Sequence, residues 1–158
     1  MVHNVIGNLL DSNCDYICHQ VNCQGVMGSG IAKQIRERWP EVYEKYRKRY
    51  DYTRMAWKGY WDLLGTIDRV RIKDSDKYVV NMYSQDNYGH DDNRYTSYDA
   101  FARCLQEMAV YIPKDKTIGF PKNIGCGLGG GNWKVISALI EEILGKDYEV
   151  YIYEYFGE

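Results

Sequence analysis

Eight of the fifteen glycines fall in two short segments: Gly25, Gly28 and Gly30 in NCQGVMGSGIA, and Gly125, Gly127, Gly129, Gly130 and Gly131 in IGCGLGGGNW. Each segment follows a strand-like run and opens a helical pattern. Such a junction aims unpaired backbone N–H groups and the positive end of a helix dipole into one space. Missing β-carbons let the main chain approach a phosphate closely. Two such loops at the carboxyl ends of strands in one sheet would form a cleft suited to a diphosphate. The alternative is that these glycines only make turns and helix caps, and the recurrence of the same junction favours phosphate cradling. Neither segment is a common nucleotide signature. The first reads G-x-x-G-x-G, reversed from the dinucleotide fingerprint, and no GK[ST] occurs, which disfavours a Walker-type nucleotidase.

Other side chains could act beside these loops. His19 lies just before the first, in the pattern His19, Asn22, Cys23, Gly25. Taken from position alone, it also reads as a hydrogen-bonded histidine at the end of a buried strand. Cys23 and Cys126 sit inside the loops, where packing is favoured over nucleophilic use because no base is spaced to activate them. The segment Gln85–Tyr95, QDNYGHDDNRY, offers Asp86, His90, Asp91 and Asp92. Trp133 reads as a core anchor, and Tyr83 and Tyr88 as rim or core residues. The five cysteines, at 14, 18, 23, 104 and 126, are odd in number and lack zinc-knuckle spacing, so they are expected as reduced thiols with no metal site.

The chain has 158 residues, 45% hydrophobic and 27% charged. That length suits one domain, residues 1–158, able to bury roughly 70% of its unfolded surface without staples. No apolar run approaches the roughly 20 residues of a membrane span, and Met1–Asn13 lacks the form of a signal peptide, so a cytoplasmic protein is expected. Twenty basic and 22 acidic residues give a net charge of −2, which argues against general affinity for nucleic-acid backbones. The basic cluster Lys45–Arg49 reads as a solvated helix face. Sixteen tyrosines are scattered, mostly at strand-like positions, and read as packing.

The elements that must hold the two loops follow from periodicity. Strands are expected at Met1–Ile6, Asp15–Val21, Thr66–Ile72, Lys77–Tyr83, Thr117–Phe120 and Tyr148–Phe156. Helices are expected over Ile31–Arg38 and from Pro40 to about Tyr50, with Pro40 opening the second. Thr96 or Ser97 caps a third, whose apolar positions Tyr98, Phe101, Ala102, Leu105, Met108, Ala109 and Ile112 keep a 3.6-residue period until Pro113. A fourth buries Trp133, Ile136, Ile140, Ile143 and Leu144. The region around Trp57–Trp61 is aromatic and unassigned. The order β-β-α-α-β-β-α-β-α-β predicts a mixed sheet covered on both faces.

On three segments the sequence resembles a macro domain, the ADP-ribose-binding family. Gly7-Asn8-Leu9 is similar to the exit motif of the first strand, usually Gly-Asp-Ile/Leu. Tyr16–Ala32 resembles the first ligand loop, and Ile118–Trp133 the diphosphate loop. The resemblance implies a three-layer α/β/α sandwich with a six-stranded mixed sheet. It places Asn22 on the distal ribose. Gly25, Met27, Gly28, Ser29, Gly30 and Ile31 would lie along the ribose and diphosphate. Gly125, Cys126, Gly127, Leu128, Gly129 and Gly130 would wrap the diphosphate. Asn8 replaces the aspartate that holds the adenine amine, which implies weaker adenine selection without charge assistance.

His19 is similar to the histidine of the branch that hydrolyses ADP-ribose 1''-phosphate to ADP-ribose and phosphate. That likeness implies a phosphomonoester hydrolase in which His19 and an aspartate, Asp86 by proximity to the strand end, are catalytic. No cofactor is implied. The alternatives are a non-catalytic reader of ADP-ribose and a hydrolase that removes ADP-ribose from modified macromolecules. The lysine used by one de-ADP-ribosylating branch has no counterpart between Asn81 and Tyr98, so removal here would proceed through water. A dinucleotide oxidoreductase is remote, given the reversed glycine spacing.

Overall fold

The computed structural model describes residues 1–56, 62–89 and 93–156; the aromatic stretch 57–61 and His90, Asp91 and Asp92 lie outside the described residues. The strands are β1 (Val2–Ile6), β2 (Tyr16–Asn22), β3 (Ile67–Arg71), β4 (Tyr78–Gln85), β5 (Thr117–Pro121) and β6 (Glu149–Glu154). The helices are α1 (Gly30–Arg38), α2 (Pro40–Met55), α3 (Tyr98–Tyr111) and α4 (Trp133–Ile143), and a 3-10 turn lies at Leu9–Asp11. The order matches the sequence reading. The strands form one six-stranded sheet in the order β1-β6-β5-β2-β4-β3. Only the β3–β4 pair is antiparallel.

Period-2 alternation divides the side chains of the central strands between two apolar layers. Cys18, Val80, Met82, Ile118, Phe120, Val150 and Ile152 face α3 and α4, where Phe101, Leu105, Met108, Ile136 and Ile140 close the layer. Ile17, Val21, Val79 and Tyr83 face the other way, onto Ile35 of α1 and Val42 and Tyr46 of α2. The result is the three-layer α/β/α sandwich.

Local chemistry sets the boundaries. Trp39 closes α1 by donating its N–H to Ile35 O, and Pro40 opens α2 at a position that needs no donor. α2 runs to Met55, five residues beyond the expected end. No glycine or proline interrupts it, and buried Thr53 returns its hydroxyl to Arg49 O at 2.9 Å. Ser97, not Thr96, caps α3 by accepting from Ala100 N, and Asn132 caps α4 by accepting from Lys134 N. In the basic cluster, Lys45 and Lys48 are exposed, whereas Arg49 turns inward to Asp68 Oδ1 at 2.9 Å and Thr66 Oγ1 at 2.7 Å. Several tyrosines pack as expected, Tyr16 on Tyr78 at 4.9 Å between centroids and Tyr46 on Tyr83 at 5.7 Å.

Candidate functional site

A cleft of about 540 Å³ opens at the carboxyl ends of β2, β4 and β5. Both glycine loops border it. Of the residues singled out in the sequence, Asn22, Gly28, Ser29, Gly30, Ile31, Gly125, Gly127, Leu128 and Gly129 line it. Asn8, Gly25, Met27, Cys126, Gly130, His19 and Asp86 do not. The sequence reading missed Gln20, Gln85, Lys122 and Asn123 as lining residues, and Tyr88 joins them from the loop after β4.

The loops present donors as their junctions required. The amides of Gly28 to Ala32 find no acceptor among the described residues, and the first bond of α1 is Lys33 N to Ser29 O at 3.3 Å. The amides of Gly127, Leu128 and Gly129 are likewise unpartnered, while their neighbours close tight turns, Cys126 N on Asn123 O and Gly131 N on Gly125 O, both at 2.8 Å.

Asn22 ends β2 where the register with β4 shifts, so that Asn22 stands opposite Gln85. Its amide is locked. Oδ1 accepts from Gln24 N at 3.0 Å and lies 2.7 Å from the Tyr46 hydroxyl, while Nδ2 donates to Val26 O at 2.9 Å. One Nδ2 proton is left for the cleft. Tyr46 also accepts from Val26 N at 3.1 Å and is fully buried, which raises its pKa and keeps the phenol protonated.

The second loop rests on Gln20. Gln20 Nε2 donates to Gln85 Oε1 and to Thr96 Oγ1, both at 2.9 Å, and Gln20 Oε1 accepts from Ser84 Oγ at 2.7 Å. Thr96 in turn donates its hydroxyl to Gly125 O at 2.7 Å, and Gly129 O accepts from Tyr95 N and Thr96 N. A Cβ on Gly129 would fall 2.4 Å from Thr96 Oγ1, which is the close approach that glycine permits there.

His19 stands elsewhere. It is 0% exposed and points into the layer beneath α2, and it lines no part of the cleft. Asn81 donates its Nδ2 to Asp68 Oδ2 at 3.2 Å, which leaves Asn81 Oδ1 facing His19 Nε2 at 2.6 Å. His19 therefore carries its proton on Nε2, and its Nδ1 is buried without a partner. Burial pushes its pKa down to about 4, against smaller upward effects from Asn81 and Asp68. An imidazole so placed is neutral at physiological pH and stands apart from the walls of the cleft, beside which the sequence reading expects it to act.

Asp86 also acts as support. Its carbonyl accepts from Cys23 N at 3.3 Å and Gln24 Nε2 at 2.9 Å, tying the first loop to the end of β4, and its carboxylate accepts from Asn87 N at 2.8 Å. Asn8 Oδ1 caps the 3-10 turn through Leu10 N at 3.0 Å. Burial raises the Cys23 thiol to about 12 and shifts Cys126 upward, which keeps both protonated, in line with packing. Among the described residues, the lining contains no carboxylate, imidazole or thiol; Lys122 supplies its ammonium, held 3.1 Å from Glu154 Oε2.

Comparison with known proteins places this geometry. No family model matches the sequence. Among solved structures, a Bacteroides thetaiotaomicron protein of unknown function superposes with a TM-score of 0.83 at 28% identity, covering 98% of both chains. The macrodomain of Thermus aquaticus DarG superposes with a TM-score of 0.76 at 24% identity over 97% of each chain. The chain has the macrodomain fold. A further neighbour, Thermosipho africanus DarTG in complex with ADP-ribose, has a TM-score of 0.79 at 20% identity over 97% of this chain and 41% of that one. By sequence, the chain is 26% identical over 133 residues to an uncharacterised 17.5 kDa protein of enterobacteria phage T4, covering 82% of this chain and 80% of the phage protein. It is 27% identical over 165 residues to a DNA ADP-ribosyl glycohydrolase of Thermus aquaticus. That alignment takes in 98% of this chain but spans only 41% of the relative's length.

Proposed function

We propose that this macrodomain binds ADP-ribose between the two glycine loops and releases it, by addition of water, from a modified macromolecule. One observation carries the reading: two sets of unpartnered backbone amides, Gly28–Ala32 and Gly127–Gly129, border a single cleft that also holds the oriented amide of Asn22. The amides of the second loop take one side of the diphosphate and the start of α1 the other. The spare Nδ2 proton of Asn22 holds a hydroxyl of the distal ribose, whose anomeric carbon then faces the open end beside Tyr88 and Gly89.

Release by water asks little of ionisable side chains. The bond from C1'' to the macromolecule breaks, the water oxygen bonds to C1'', and the departing atom takes a proton. Positive charge that develops on the ribose is stabilised by the diphosphate, which the loops hold in a fixed position. Hydrolysis of ADP-ribose 1''-phosphate is the second reading. It loses support because the imidazole it requires lies beneath α2. The relative named as a DNA ADP-ribosyl glycohydrolase and the ADP-ribose complex of a structural neighbour add weight to the first.

Calorimetry with ADP-ribose tests binding. Release is tested on ADP-ribosylated DNA and protein, alongside phosphate release from ADP-ribose 1''-phosphate. Asn22→Ala is expected to abolish release of ADP-ribose. Phosphate release that depends on His19 would restore the phosphatase reading, and failure to bind ADP-ribose would defeat both. Binding with no release from any substrate would leave a reader of ADP-ribose.

A further inference from the structure

The two edges of the sheet are protected unequally. At one edge β3 exposes Arg69 and Arg71, charges of the kind that keep an edge from pairing with another chain. At the other, β1 reads VHNVI, with no lysine, arginine, proline or bulge. Its imidazole is engaged elsewhere: His3 stacks on Tyr151 with ring centroids 4.8 Å apart and pairs with Glu149. Met1 O accepts from Val150 N, and Gly7 N donates to Glu154 O, so the odd residues of β1 turn their peptide groups toward β6. Peptide groups alternate along a strand. The N–H and C=O of Val2, Asn4 and Ile6 therefore point outward, where no described residue meets them.

The side chains of those same three residues lie on the α4 face of the sheet. There a groove of about 390 Å³ runs between β1 and α4, with Val2, Asn4, Ile152, Trp133, Ser137 and Glu141 among its walls. Ile6 stands on the same face at the far end of the strand and is 76% exposed. The carboxamide of Asn4, midway between Val2 and Ile6, has no partner among the described residues. Lys134 and Glu141, two turns apart, share the flank of α4 that borders the groove. Both are exposed, and neither forms an ion pair among the described residues.

We infer that β1 pairs with β1 of a second copy of this chain, antiparallel and centred on Asn4, so that one sheet continues through both copies. A two-fold axis at Asn4 sets Val2 opposite Ile6 of the second copy and the two Asn4 residues opposite each other. All of these turn their peptide groups outward, so each opposed pair exchanges both of its hydrogen bonds. A slip of one residue would set outward groups against inward ones. A slip of two would leave Val2 or Ile6 unpaired. In the centred register the exposed Ile6 of each copy enters the groove that begins at Val2 of the other. The two Asn4 carboxamides meet on the axis. The two α4 helices run antiparallel on one face of the joined sheet, which brings Lys134 of each toward Glu141 of the other. Hydrogen bonds, shape and charge thus match this edge to itself, which selects a second copy over a foreign strand. The ligand clefts, at the carboxyl ends of the strands, open at opposite ends of the dimer.

Sedimentation velocity of the full chain is the test. The wild type is expected to pass from monomer to dimer between about 1 and 100 µM, as suits a small interface. Ile6→Lys carries a charge into the apolar groove and should weaken the dimer about tenfold or more. Lys134→Glu should weaken it about two- to fivefold, and Lys134→Glu with Glu141→Lys should restore it. Circular dichroism should match the wild type in all of these, since each replaced side chain is exposed. Oxidation reads the register. Asn4→Cys sets two thiols on the axis with Cα atoms about 5.5 Å apart, within reach of a disulfide, and should give a crosslinked dimer. Val2→Cys should not crosslink. The native cysteines, four buried and Cys126 half-buried, keep the background low. A wild type that stays monomeric at about 100 µM overturns the inference, as does a dimer that Ile6→Lys leaves unchanged. Crosslinking of Val2→Cys as readily as Asn4→Cys, or a charge swap that restores nothing, overturns the register and the inference with it.

Discussion

The two loops that border the cleft are supported in different ways. The first hangs from side chains: Tyr46 reaches Asn22 and Val26 N, Arg47 holds Gly25 O, and Asn22 ties its own turn together. Only Gly25 in that loop is confined, and its neighbours are the ends of side chains on α2. The second loop is also tied by side chains, Gln20 through Thr96 to Gly125 O, but its backbone is in addition pressed against its neighbours. A Cβ at Gly125, Gly129, Gly130 or Gly131 would come within 2.9 Å of another atom, at Gly130 and Gly131 a backbone oxygen. Both loops are thus vulnerable to side chains removed, and the second, at four of its glycines, also to atoms added.

That contrast is tested most severely by Gly129→Ala. Its new methyl collides with Thr96 Oγ1 and with Gly125 O at 2.7 Å, so the amides must move off the diphosphate. ADP-ribose affinity measured by calorimetry should fall more than about a hundredfold, since misplaced donors lose their charge-assisted hydrogen bonds. Gln20→Ala comes next. It removes the amide that joins β4, Thr96 and, through Thr96, Gly125. A loss of about 2 kcal/mol, roughly thirtyfold in affinity, is expected because Ser84 and Thr96 are left short of partners. Tyr46→Phe deletes one hydroxyl from the first loop and leaves Val26 N only its longer bond to Asn22 Oδ1, at 3.4 Å; affinity should drop about five- to tenfold, with about 1–2 kcal/mol lost in urea unfolding. An unchanged affinity there would show that the first loop does not need its side-chain ties.

His19→Gln should affect affinity least, within about twofold, while altering the dependence of stability on pH. The folded pKa of about 4 lies below the ordinary value of 6.5, so the unfolded chain binds the extra proton first. Stability from this site is complete above about pH 6.5 and is lost as pH falls toward 4. Between pH 7 and pH 5 the wild type should lose about 2 kcal/mol that the variant keeps, as read from unfolding curves at the two pH values.

The loops were legible in the sequence because glycine spacing, a preceding strand and a following helix each leave a local signature. Asn22 was legible through its place in the first of them. The burial of His19 was not legible because a sequence gives order along a strand but not depth within the sheet. His19 and Asn22 are three positions apart on β2, and the imidazole lies under α2. The role of the neighbouring Gln20 was not legible, because its partners Ser84, Gln85 and Thr96 lie more than 60 positions away. Asp86 was chosen for nearness to a strand end, and its contribution proves to come mainly from its carbonyl. The length of α2 was underestimated because the inward turn of Arg49 toward Asp68 and Thr66 is a tertiary contact that no local pattern announces.

A grip made of peptide amides and carboxamides has no titration point of its own. The described walls of the cleft hold no carboxylate, imidazole or thiol, the groups that change charge between mild acid and mild alkali. Occupancy by a diphosphate ligand should therefore follow its concentration and hardly notice acidity. A cell that acidified or alkalised would change how firmly this protein is folded before it changed what the protein holds.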